Sequence, residues 1–138
     1  MDIPFVKHPE SVTIVAVEGD QLVCVRQTRR GANGPTIELP SGKIEPNETA
    51  DEAAKRELAE ECALEAREWR ELGQFWAAPG YSTELVHVFV AGDLSPSDGA
   101  VLDEDEDVET ERVPLVSVLD RLSDASSIAA LALWLEER

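Results

Sequence analysis

Glu57, Glu60 and Glu61 follow directly on Arg56 in the stretch GKIEPNETADEAAKRELAEECAL, Gly42 to Leu64. Like charges this close repel, so the crowding needs either a counter-charge or open water. On a helix, residues i, i+3 and i+4 share a face, and the three glutamates have that spacing. Carboxylates converging on one face are hard oxygen ligands of the kind Mg²⁺ or Mn²⁺ takes. Such a cation would cancel the repulsion. The competing reading is a solvated acidic helix face, which an isolated Glu-x-x-Glu-Glu would favour.

The elements that must position these side chains follow from pattern. Thr49 and Glu52 form a capping box for a helix over 49–62, with Asn47 as an alternative cap. Ala50, Ala53, Ala54 and Leu58 give that helix its propensity and a small-residue face. Upstream, SVTIVAV (11–17) and LVCVRQT (22–28) read as strands joined by an EGDQ hairpin turn. RRGANGP (29–35) is a loop, and TIELPSGKI (36–44) gives short extended pieces broken at Pro40 and Gly42. Downstream, strands are expected over 68–80, 83–94 and 108–114, with a polar acidic loop at 95–109. Amphipathic helices are expected over 114–122 and 127–138, the second burying Ile128, Leu131 and Trp134 on one face. Hairpins early and helices late predict an α/β or α+β fold rather than a doubly wound parallel sheet.

The bulk properties narrow the function. With 138 residues, 43 % of them hydrophobic, the chain is expected to form a single domain, 1–138. Its formal net charge is -17, from 29 acidic and 12 basic residues. That balance argues against nucleic acid and anionic membranes as partners. An anionic substrate would need cations between itself and the protein. Cys24 and Cys62 lie far apart with no metal-ligand spacing, and Cys24, in an apolar run, reads as a buried free thiol. No stretch reaches the roughly 20 apolar residues of a membrane span, and the N-terminus has no apolar leader core. A reducing, cytoplasmic setting is expected.

The spacing gives the glutamates a family context. Gly42, five residues, Glu48, seven residues, Arg56-Glu57-Leu58, one residue, then Glu60-Glu61 resembles the Nudix box, the signature of hydrolases that cleave a nucleoside diphosphate linked to another moiety. Ala63 departs from it, standing where the family has glycine. The resemblance implies an α/β/α sandwich around a central mixed sheet, with the metal-binding helix after a glycine loop. It implies Glu57 and Glu61 as the principal ligands of Mg²⁺ or Mn²⁺, with Glu60 sharing a metal or its water. The Ser41 carbonyl is an added ligand. Arg56 orients the acidic helix by pairing with Glu48 or Glu60, and Gly42 lets the loop pass close to the helix.

Beyond the box, RQTRR (26–30), ELPSGKIE (38–45) and FWAAPGYSTELVHVFVAGDL (75–94) are similar to stretches of ADP-ribose pyrophosphatases. So is Pro79, 15 residues after Leu64. That resemblance implies a small nucleotide substrate, cleaved at its pyrophosphate to AMP and ribose 5-phosphate. In DEDEDVE (103–109), Glu104 resembles the family's general base and Glu106 a further metal ligand, with Asp105 and Asp107 open on register. Arg26 and Arg29 are expected to balance phosphate charge. Glu38 either contacts ribose or holds its loop. Pro79 and Tyr81 complete the substrate-side candidates. Relatives of this kind carry an N-terminal segment that supports dimerisation and adenine stacking. Only MDIPFVKHPE precedes the first strand here, so base recognition does not carry over, and a homodimer is left open. Phe5, Trp76 and Tyr81 are the aromatic candidates. The alternatives are cleavage of nucleoside triphosphates, dinucleoside polyphosphates or another nucleotide sugar, and a nucleotide-binding module without turnover.

Overall fold

The structure, a computed structural model, describes residues 4–98 and 108–138. Its strands begin with the β-branched runs. β1 (Ser11–Glu18) and β2 (Gln21–Arg29) pair antiparallel across a tight turn in which Gly19 takes φ 61°. β3 (Gly34–Glu38) and the short β4 (Ser41–Lys43) follow, then α1 (Ala50–Cys62), β5 (Leu64–Trp76) and β6 (Leu85–Pro96). β7 (Val108–Pro114), α2 (Val118–Arg121) and α3 (Ala125–Glu136) complete the order. Seven strands make one sheet in the order β3-β2-β1-β6-β5, with β4 added to β1 and β7 to β2. β1 and β6 run parallel over Ser11–Ala16 and the remaining pairs are antiparallel. The sheet is therefore mixed, as expected.

Alternation along β1 sends side chains to two separate cores. Val12, Ile14 and Ala16 pack with Ala53, Ala54, Leu58 and Cys62 of α1. Val15 packs on the other face with Leu22, Cys24 and Val88, under Leu131 and Trp134 of α3. Helices thus cover both faces, giving the α/β/α layering of a small α+β protein. Ala53 and Ala54 are fully buried, and their small side chains let α1 lie close to β1. Trp134 is core and Cys24 is a buried free thiol.

Several boundaries differ from the sequence reading, each for a physical reason. β5 begins at Leu64, not Glu68, because one left-handed residue, Ala63, turns the chain straight from helix to strand. Glu65, Arg67, Glu68, Arg70 and Glu71 mask its strand character, yet charge is usual on the last strand of a sheet. β7 spans Val108–Pro114 as read, but a turn closed by the Ser117 N–H on the Pro114 carbonyl follows it, so the helix expected over 114–122 is only Val118–Arg121. α3 starts at Ala125, capped by Asp124, whose carboxylate accepts from the Ser127 N–H. Ile128 is 40 % exposed, so it does not share the face of Leu131 and Trp134; Ser127, 1 % exposed, is buried there instead. Its hydroxyl takes the Leu39 N–H at 2.9 Å. Trp76 is an exposed surface residue.

The start of α1 is the capping box read from sequence. Thr49 Oγ1 accepts from the Glu52 N–H at 3.1 Å, and Glu52 Oε1 accepts from the Thr49 N–H at 3.0 Å. Its end carries a small strain. Ala63 sits at φ 55°, ψ 37°, with its N–H donating back to the Ala59 carbonyl. A methyl group in that conformation costs about 1 kcal/mol relative to glycine. Ala63→Gly is therefore expected to raise the unfolding free energy by about 1 kcal/mol in a urea titration. A loss of stability would mean that unfolded-chain entropy outweighs relief of the strain.

Candidate active site

A cavity of about 780 Å³ opens between α1, β4 and the edge formed by β2, β3 and the start of α3. Its glycine-bearing wall is built first. β4 runs antiparallel to β1, pairing Gly42 with Val12, and this brings Gly42 against α1. A Cβ added to Gly42 would lie 2.1 Å from Glu57 Cδ and 2.2 Å from Oε1. No side chain fits there, so the glycine is a condition for Glu57 to point into the cavity.

Arg56 organises the acidic helix. Nε and Nη2 hold the two oxygens of Glu48 at 2.8 and 2.9 Å. Nη1 donates to Glu57 Oε1 at 2.7 Å and to Glu60 Oε2 at 3.1 Å, and Nη2 also donates to the Lys43 carbonyl at 2.9 Å. All five N–H donors of the guanidinium are thereby taken by the protein. Arg56 thus fixes the loop and the carboxylates of the helix in place. Its hydrogen bonds hold the Glu48 carboxyl down to about 2.

Glu57 and Glu61 lie deeper. Burial, countered by Arg56 and reinforced by the charge of Glu60, raises the Glu57 carboxyl above its usual range. Glu61 is pushed up to about 8, first by burial and then by the charge of Glu57, although the Ser41 N–H donates to its Oε1 at 3.0 Å. Two crowded, partly desolvated carboxylates with too little compensating charge are a donor set that fits a divalent cation. Glu57 and Glu61 would hold it. Among the described residues no three carboxylate, imidazole or thiol groups converge as a complete ligand set. Glu60 is turned toward Arg56, and Glu104 and Glu106 lie outside the described residues.

Across the cavity, Arg29 and Glu38 form a second, independent unit. Arg29 Nε and Nη2 donate to Glu38 Oε2 and Oε1 at 2.8 and 3.0 Å, and Thr36 Oγ1 donates to Oε2 at 2.6 Å. Burial pushes the Glu38 carboxyl up, but these hydrogen bonds outweigh it and leave the group below its usual range. Glu38 thus positions Arg29, whose head is half exposed. Ser41, Gly42 and Arg29 line the cavity; Arg26, Pro79 and Tyr81 do not. Arg26 projects from β2 beside Thr28 and Pro35. Pro79 and Tyr81 lie in the turn between β5 and β6, with Tyr81 more than half exposed.

Sequence reading missed Lys43, His8, Glu84 and Asp124, all cavity residues. His8 and Glu84 are 76 residues apart in the chain. Ser11 Oγ donates to Glu84 Oε2 at 2.7 Å, and His8 Nδ1 stands 3.8 Å from Oε1. No local pattern announces that meeting. Among the described residues the cavity lining holds seven carboxylates and, besides His8, three cationic side chains, so an anionic ligand enters only with added positive charge.

Two outcomes follow. Gly42→Ala displaces Glu57 and should lower activity by about 10²-fold, the scale of a one-ångström misplacement, with thermal unfolding changed little; unaltered kinetics would remove the close approach from the mechanism. Divalent-cation binding should release protons. Glu61 is raised, so it keeps its proton at pH 7, and a ligand must give it up. Calorimetry in buffers of different ionisation enthalpy should report release approaching one proton at pH 7, fading as pH rises through about 8.

Comparison with known proteins places this geometry. The NUDIX domain model matches residues 7–134. The chain is 38 % identical over 116 residues to a protein of Bacillus subtilis (strain 168) named ADP-ribose pyrophosphatase, covering 83 % of this chain and 63 % of that one. It is 33 % identical over 135 residues to ADP compounds hydrolase NudE of Escherichia coli (strain K12), covering 92 % and 72 %. A crystal structure of an ADP compounds hydrolase superposes with a TM-score of 0.83 at 31 % identity, over 93 % of this chain and 71 % of the other. The family model spans the acidic helix, the glycine wall and the Arg29–Glu38 unit alike, and the chain belongs to the Nudix hydrolase family.

Proposed function

We propose that this chain hydrolyses the pyrophosphate bond of a nucleoside diphosphate sugar, with ADP-ribose, giving AMP and ribose 5-phosphate, as the preferred case. The observation that carries the reading is the facing of Glu57 and Glu61 with Arg29 in one cavity. The named relatives support the substrate class. A divalent cation, Mg²⁺ or Mn²⁺, held by Glu57 and Glu61 supplies Lewis acidity toward the pyrophosphate oxygens and toward water.

The chain's own residues do the rest. Glu38 holds Arg29 by Nε and Nη2, which leaves Nη1 for a phosphate oxygen. Arg56 keeps Glu57 and Glu60 fixed without touching substrate. Gly42 and Ser41 shape the wall along which the pyrophosphate lies. Water attacks one phosphorus in line with the departing phosphate oxygen. Glu104 takes the proton from that water and Glu106 adds a carboxylate to the cation; both roles come by resemblance to the family's loop. A reducing cytoplasm suits the two buried free thiols, Cys24 and Cys62.

The test is a panel of ADP-ribose, ADP-glucose, GDP-mannose and nucleoside triphosphates with Mg²⁺ or Mn²⁺, products read by chromatography. AMP and ribose 5-phosphate from ADP-ribose are expected at the highest kcat/KM. Pyrophosphate from triphosphates as the dominant product overturns the reading. Glu57→Gln should lower turnover by more than about 10²-fold, with unfolding little changed. Full activity in that variant would remove Glu57 from the cation.

A further inference from the structure

The start of α3 forms one wall of the cavity, and it is locked there by three hydrogen bonds to the outer edge of β3. The Ile37 N–H donates to Ser123 Oγ at 3.1 Å, the Ser123 N–H to the Ile37 carbonyl at 2.9 Å, and the Leu39 N–H to Ser127 Oγ at 2.9 Å. The residue between Ile37 and Leu39 is Glu38. The residue after Ser123 is Asp124. The docking therefore sets Asp124 beside the Arg29–Glu38 unit, and Asp124 and Ser126 both line the cavity.

A helix N-terminus opening on such a cavity is ordinarily an attractive place for phosphate, because its N–H groups and dipole favour negative charge. Here an anion is built in. Asp124 Oδ2 accepts from the Ser127 N–H at 3.1 Å. Its Oδ1 is the one buried side-chain oxygen or nitrogen without a hydrogen-bond partner among the described residues. A neutral cap, serine or asparagine, satisfies the same N–H equally well, so capping alone does not call for the carboxylate. Arg29, the near cation, is engaged by Glu38. Burial, and then the charge of Glu38, raise the Asp124 carboxyl above its usual range. Asp124 and Glu38 thus place two carboxyl groups at this end of the cavity, beside one arginine that Glu38 already engages.

We propose that Asp124 is a specificity-determining residue: a resident anion on the N-terminus of α3 that keeps a further, terminal phosphate away from the start of α3, beyond the pyrophosphate that Arg29 takes, and leaves that end of the cavity to an uncharged sugar. The inference rests on the nucleotide-sugar reading and adds a reason why a sugar is taken there and a third phosphate refused. The effect is Coulombic, so it needs no direct contact between Oδ1 and the ligand. The neighbouring hydroxyl of Ser126 and the amide of Gln27, also on the cavity wall, suit sugar hydroxyls.

Two measurements test it. On the wild-type protein, inhibition by AMP, ADP and ATP is compared with ADP-ribose as substrate. The third phosphate should weaken inhibition, so that ATP inhibits less tightly than ADP, and tighter inhibition by ATP than by ADP overturns the proposal without any variant. Asp124→Asn and Asp124→Ser, both able to cap α3, should then raise kcat/KM for ATP relative to ADP-ribose by about tenfold, mainly through a lower KM for ATP. Their melting temperatures report whether the cap survives. An unchanged ratio in a folded variant overturns the assignment of Asp124 and leaves the nucleotide-sugar reading standing. A wild-type protein that cleaves ATP and not ADP-ribose overturns both.

Discussion

Arg56 is the interaction on which the rest of the site depends. Without it, Glu57 and Glu60 on the helix and Glu48 in the loop before it would crowd one another with nothing to hold them. Its five donors bind three carboxylates and the Lys43 carbonyl, joining the helix to the strand that carries Gly42. Each bond has a charged donor, and most have a charged acceptor, which makes them short and strong. The guanidinium is partly buried, so screening by water is weaker than for a surface pair. Arginine is needed for its fork as much as for its charge. A lysine at this place has three donors on one point and could not span the same partners.

The neutralisation stops short of completion, and that shortfall is chemically useful. Arg56 donates to Glu57 but not to Glu61, which accepts from the Ser41 N–H. The Glu61 carboxyl is thus left with little to balance its charge if it ionises, beside Glu57, which is half satisfied. The raised Glu61 carboxyl expresses the same imbalance as a retained proton. A protein that folds with such a pair stores a demand for positive charge at one point of its surface. Cation binding meets it, and an anionic ligand can then approach a chain whose net charge is -17.

What could be read from sequence was whatever the chain writes locally. The capping box, the i, i+3, i+4 spacing of the glutamates and the β-branched strands each depend on neighbours a few residues away. The Gly42–Glu57 approach was legible only through resemblance, since β4 and α1 meet by tertiary packing. The unread parts are those made by pairing distant segments. His8 meets Glu84 because the segment before β1 hydrogen-bonds to the turn before β6, Val6 N–H to the Tyr81 carbonyl at 2.7 Å. Ile128 follows a helical apolar pattern, yet Ser127 is buried because Leu39, just past the end of β3, turns its N–H to that side. A free strand edge outranked the hydrophobic period.

That edge explains why the late part of the chain matters to an active site whose signature lies early. β3 is the outermost strand on its side of the sheet, and such an edge normally invites another chain. Here the serine hydroxyls of Ser123 and Ser127 cover it. Side-chain caps of this kind have little reach, so they fix the start of α3 tightly against Glu38. Strand protection and substrate-site geometry then become one constraint. Moving α3 would expose the β3 edge and shift Asp124 away from Arg29 and Glu38 together. A serine pair that looks like ordinary loop chemistry in the sequence therefore sets the distance between two carboxylates at the far wall of the cavity.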